Sequence, residues 1–166
     1  MRQPRVRGRA TWIGAVLLLG SASIWLATLG PSCGPWGRTP GFLLLGESVA
    51  EPVSDWSFVR SHPEIALETA TPWLVPHSVT VSWLLVAGQL FIPSRDAATK
   101  TWVRNVLRRP DARLRIGKRI YRVRLVRAAD PALRERLVEA ALARWPEFRS
   151  DGDDMNAMDF FRVEPR

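Results

Sequence analysis

Cysteine is nearly missing from this sequence: Cys33 stands alone among 166 residues. No internal disulfide is possible, and no cysteine-based metal site can form. Histidine is almost as scarce, with only His62 and His77. Two histidines and scattered carboxylates give neither metal-ligand spacing nor a Ser/His/Asp set, so a metal centre and a hydrolase are both disfavoured. Acidic residues are also short, with 16 Asp and Glu against 24 Lys and Arg and a net charge of +8. No internal repeat is visible. One stretch has no charge at all.

That stretch, Thr11 to Leu29, reads TWIGAVLLLGSASIWLATL. At about 1.5 Å rise per residue it spans roughly 28 Å, close to the thickness of a hydrocarbon core. Trp12 and Trp25 lie toward its ends, where amphipathic rings favour the interface. A basic tail, residues 1–10, carries Arg2, Arg5, Arg7 and Arg9, while only Arg38 follows closely. The pattern predicts one transmembrane helix over 11–29, with the N-terminus cytoplasmic and the remainder extracytoplasmic. The lipid bilayer of the cell membrane is then a partner. A cleaved signal peptide is the alternative. Ser21-Ala22-Ser23 offers it small residues, but Ile24-Trp25-Leu26 carries the apolar run past them. The first ten residues hold no adjacent arginine pair, which argues against twin-arginine export. Cys33 stands where a lipoprotein cysteine would, yet Leu29-Gly30-Pro31-Ser32 places a proline badly for cleavage.

Residues 30–41, GPSCGPWGRTPG, hold four glycines and three prolines, the composition of a linker. The linker extends to residue 52 and contains a short apolar stretch, Phe42 to Val49. A domain is expected over 53–166. Trp56 to Val59 reads as a short strand. Glu64 to Thr69 alternates at period two, as a half-buried strand does. Thr71 to Pro76 is a break with two prolines. Ser78 to Val86 and Leu90 to Pro93 form a hairpin about Ala87-Gly88-Gln89. Ala97 to Arg109 switches to helical period, with Ser94 or Asp96 placed to cap it. Arg113 to Arg127 is a second hairpin, turning at Gly117-Lys118. Asp130-Pro131 opens a second helix, with the aspartate as cap and proline at the first position. Phe160 to Glu164 is the last strand. The order β-β-β-β-α-β-β-α-β predicts a mainly antiparallel sheet with two helices, closed or nearly closed into a barrel.

The stretch IPSRDAATKTWVRNVLRRPDARLRIGKRIYRVRLVRAADPALRERL is the most telling. From Trp56 to Glu164 the chain resembles the split β-barrel flavin-binding superfamily, the pyridoxamine-phosphate-oxidase-like and deazaflavin-dependent nitroreductase-like proteins. The resemblance implies FMN or a deazaflavin lying against the barrel, often across a homodimer interface, and an oxidoreductase acting on a small molecule. It implies a phosphate held by Ser94, Arg95 and Lys100. A hydroxyl and two cations beside a helix N-terminus make an anion cradle on chemical grounds as well. Trp73, His77 and Trp83 would line the ring. No catalytic acid or base is assigned. Where deazaflavin-dependent members carry a basic Gly-Arg-Lys-Ser-Gly-like stretch, this chain has Thr71-Pro72-Trp73-Leu74-Val75-Pro76-His77-Ser78.

Twelve basic residues lie between Arg95 and Arg127, with only Asp96 and Asp111 against them. Arg113, Arg115, Arg122 and Arg124 share one face of the second hairpin. Like charges across a hairpin repel. Acidic headgroups, the acidic 150–154 loop or a ligand phosphate would relieve them. Nucleic acid is not expected, since the aromatics read as core and the domain lies outside the membrane. The rival to an enzyme is a non-catalytic module on the same barrel, binding an anionic ligand, a haem-like ring, a lipid or a partner protein.

Overall fold

A computed structural model describes residues 34–149 and 157–166. The described residues form eight strands: β1 Glu47–Val49, β2 Ile65–Ala70, β3 Pro76–Val81, β4 Leu84–Val86, β5 Gln89–Ser94, β6 Asp111–Ile116, β7 Arg119–Arg127 and β8 Asp159–Pro165. Among the described residues two helices, α1 Thr101–Arg108 and α2 Pro131–Arg144, accompany the strands, with short 3₁₀ turns. The strands lie in the order β3-β2-β6-β7-β8-β5-β4, with antiparallel neighbours. β1 alone pairs in parallel, with the start of β7. The result is a curled half-barrel. Its two terminal strands, β3 and β4, are consecutive in the chain and joined only by Ser82 and Trp83.

Ile65, Leu67, Leu90, Ile92, Leu114, Val123 and Leu125 fill the concave face, where Trp102, Val103 and Val106 of α1 close it. Each such side chain, fully buried, contributes about 1.5–3 kcal/mol. Trp102 meets Phe161 edge-on, with centroids 5.2 Å apart. The alternate residues Leu84, Phe91 and Phe160 point the other way, onto Leu137 and Ala141 of α2. The ends of α2 are as expected: Asp130 accepts from the Leu133 N–H at 2.9 Å and Pro131 occupies the first turn. In the β4–β5 turn both Ala87 (φ 51°) and Gly88 (φ 77°) have positive φ, as a type I′ hairpin requires.

Residues 41–49, read as part of a linker, form a strap over the convex face. Gly41 exchanges two backbone hydrogen bonds with Ser78, at 2.8 and 2.9 Å. Only glycine fits there, because a Cβ would come 2.0 Å from the Gly34 carbonyl oxygen. Leu44 is buried against Ala66 and Ile120. Its N–H donates to Glu68, and its carbonyl accepts from Arg113 Nη2 at 3.0 Å. β1 then extends the strap along β7.

Three expected elements differ. Trp56 to Val59 is no strand: Ser57–Ser61 is a 3₁₀ turn. The Asp55 carboxylate accepts from both Ser57 N–H and Ser57 Oγ, which bends the chain and holds the Asp55 pKa low. Trp56 and Val59 are then buried from one face. The Ser78–Val86 run breaks at Ser82–Trp83, where the Trp83 indole turns inward and donates to the His62 carbonyl at 2.7 Å. The first helix begins at Thr101, not Ala97, and neither Ser94 nor Asp96 caps it by a side chain. Asp96 is left-handed (φ 50°), so the chain passes first through a 3₁₀ turn, Ala97–Thr99.

Among the described residues no helix is long and apolar enough to cross a membrane. The span expected over 11–29 lies outside them.

Candidate functional site

β5 pairs with β4 only as far as Phe91. Beyond it, Ile92 to Ser94 pair with β8 on one side, and among the described residues no strand pairs with their β4 side. Pro93 has no N–H to donate, so it suits a strand end with one open edge. The end of β3, Thr80 and Val81, and the following Ser82 stand across this gap. Between them is a cleft of about 270 Å³. Ser94, Arg95 and Lys100 line it from the junction of β5 and α1, and Trp102, Trp145 and Phe148 supply aromatic walls.

Three sequence-predicted residues thus come together. Ser94 is buried, and its hydroxyl donates a long 3.4 Å bond to the Arg95 carbonyl, weak enough for the O–H to turn to a better acceptor in the cleft. The Arg95 guanidinium lies over the Phe148 ring, 4.7 Å from its centroid, a cation–π contact that fixes its head at the cleft. Lys100 is exposed at the start of α1, where the first helical N–H groups carry a partial positive charge. A hydroxyl, a guanidinium, an ammonium and a helix start facing one cleft form a receptor for an oxyanion.

The other three stand elsewhere. Trp73 is exposed on the β2–β3 turn, at the far end of β3 from the cleft. His77 is half-buried in β3, and burial lowers its pKa, which keeps the imidazole neutral at pH 7. Trp83 is core, with the Arg144 guanidinium 4.0 Å from the centroid of its ring. Trp102, Trp145 and Phe148, the aromatic walls, were not singled out by sequence reasoning. Trp102 reads as helix core, and Trp145 and Phe148 follow α2, remote in sequence from Ser94.

Two of the four crowded arginines of β6 and β7 meet carboxylates within the protein. Arg113 faces Arg122 across the hairpin but pairs with the buried Glu68 of β2 at 2.9 Å. Asp111 takes Arg166 at 2.6 Å and approaches Arg124 at 3.5 Å. Among the described residues no cluster of His, Cys, Asp and Glu could hold a metal ion.

No family model matches the chain, and no curated protein sequence does. Solved structures do, and the class they define is the split β-barrel. A Listeria innocua protein designated a pyridoxamine 5′-phosphate oxidase is 19% identical with a TM-score of 0.53, over 66% of this chain and 89% of that one. The haem storage protein HutZ of Vibrio cholerae is 12% identical with a TM-score of 0.55, over 66% and 85%. A NimC/NimA family protein of Clostridium acetobutylicum is 12% identical with a TM-score of 0.50, over 63% and 76%. At these identities the likeness is one of fold.

Proposed function

We propose that this chain is a membrane-anchored split-barrel oxidoreductase-like protein whose cleft holds the phosphate of FMN or a deazaflavin. The observation that carries this is the meeting of Ser94, Arg95 and Lys100 at the open edge of β5. The donor set fits a phosphate: the Ser94 hydroxyl and the Arg95 and Lys100 heads provide directed N–H and O–H donors and two positive charges. Trp102, Trp145 and Phe148 offer apolar faces to a flat ring and exclude water from it. When bound, a flavin or deazaflavin supplies hydride or electron transfer to a small substrate. The protein binds and orients it, and a homodimer would complete the second wall of the cleft.

A second reading is a non-catalytic carrier of a haem-like ring or another anionic ligand. It is favoured by the fold shared with HutZ and by the position of Trp73 and His77 away from the cleft. Titration of the purified full chain with FMN, deazaflavin and haem separates the two. FMN or deazaflavin should bind, and Ser94→Ala with Lys100→Ala should weaken binding about 10–100-fold, the loss of one or two charge-assisted bonds. Unchanged affinity in the double variant rejects this site. A haem Soret shift without flavin binding selects the second reading.

A further inference from the structure

The β2–β3 turn holds apolar side chains out in water and is closed by three hydrogen bonds. The Thr71 N–H donates to the Val75 carbonyl at 3.0 Å, the Leu74 N–H to the Thr71 carbonyl at 2.9 Å, and the Val75 N–H to Thr71 Oγ1 at 3.1 Å. Leu74 sits at φ 62°, a left-handed conformation unfavourable to a residue with a Cβ. At the tip Trp73 is 86% exposed, Leu74 60% and Val75 43%. Turns ordinarily carry glycine, asparagine, aspartate or serine. A hydrogen-bonded turn that presents three apolar residues in a row is the kind of exposed apolar patch that marks a contact surface.

The turn borders a second cleft, of about 340 Å³, on the opposite end of β3 from the first. Leu74 and Pro76 line one side, and four arginines, Arg109, Arg113, Arg122 and Arg166, line it together with the carboxylates Glu68 and Asp111. Arg113 and Arg166 are paired with Glu68 and Asp111. Arg109 and Arg122 are exposed, and neither pairs with a carboxylate among the described residues. Two guanidinium groups without a carboxylate partner among the described residues therefore share this cleft with Leu74, the neighbour of Trp73 in the turn.

We propose that this corner docks on the surface of an anionic lipid bilayer. Trp73, Leu74 and Val75 enter the interface, and Arg109 and Arg122 take headgroup phosphates. A bilayer offers both chemistries together: an apolar layer a few ångströms below a sheet of phosphate. Tryptophan favours that boundary, and arginine matches phosphate with a two-pronged bond. The convex shape of the turn decides against an acidic protein partner. A tip enters a soft interface, whereas a protein would need a concave acceptor built for it. The inference is independent of the cofactor reading. It does not require a span at 11–29, although such a span would hold the domain at the same surface.

The test is hydrogen exchange of the full chain with nanodiscs of phosphatidylcholine, alone or mixed with phosphatidylglycerol. Exchange over residues 71–76 should slow several-fold with phosphatidylglycerol only, and high salt should reverse the effect. Trp73→Ser and the double variant Arg109→Gln/Arg122→Gln should each abolish it. Both change exposed side chains, and unaltered exchange in β6 and β7 will show that the fold is kept. Equal exchange in the two lipids overturns the proposal, as does slowing that survives both variants. Slowing by inorganic phosphate without lipid assigns a free-anion site and overturns it. Slowing that grows with protein concentration without lipid assigns a second copy and overturns it.

Discussion

His77 shows how one side chain sets a pH dependence. Its ring is partly buried in β3 and its pKa is lowered from the ordinary 6.5 by burial alone. The unfolded chain therefore binds a proton that the folded chain resists. Stability is fully present above the unfolded pKa and declines as pH falls through 6.5 toward the lower folded value. We expect the urea midpoint to hold steady from pH 8 to 7 and to fall below that, in part through His77. The His77→Gln variant should lose that part of the slope between pH 7 and 5.5, and an identical slope in the variant would reject the assignment. At this scale the sequence was readable where residues are close along the chain. Ser94, Arg95 and Lys100 share one strand-to-helix junction, so their meeting needs no tertiary knowledge. Trp145 and Phe148 reach the same cleft only because α2 packs on the back of β4, β5 and β8. No local pattern carries that information.

Elements were legible in proportion to how local their cause is. The β6–β7 hairpin follows from alternation about Gly117-Lys118, and α2 from Asp130-Pro131. β1 has three residues and pairs in parallel with a strand some seventy positions on, so nothing in Glu47–Val49 itself announces it. It continues the strap, and Glu68 is bonded to the strap at Leu44. That carboxylate is buried, faces Arg113 in the β2–β6 register, and accepts from both Arg113 Nη1 and the Leu44 N–H. Glu68→Ala would strand a backbone donor and a cation together. We expect a loss of about 2–3 kcal/mol in urea unfolding, below the full cost of opening a buried pair because water still reaches Arg113. The Arg113 side chain is 33% exposed. Exchange over residues 42–48 should accelerate with it. A loss below about 0.5 kcal/mol, the range of a surface pair, would show that Leu44 packing alone holds the strap.

For the whole molecule, the proposed topology constrains the proposed chemistry. A chain threaded unfolded through a translocon carries no bound cofactor, so an extracytoplasmic barrel must acquire its flavin or deazaflavin on that side. In that proposed topology, four arginines ahead of an uncharged nineteen-residue run would hold the leading end inside, and the domain beyond the linker would face out. We expect the full chain to stay with membranes through an alkaline wash. Because Cys33 is the only cysteine, a Cys33→Ser background gives a clean site for orientation. Glu51→Cys in that background places a thiol at an exposed position, and a membrane-impermeant maleimide should label it in intact cells. Labelling only after lysis would put the barrel in the cytoplasm. Cofactor could then be loaded as the domain folds, and the positive leading end would no longer account for the orientation.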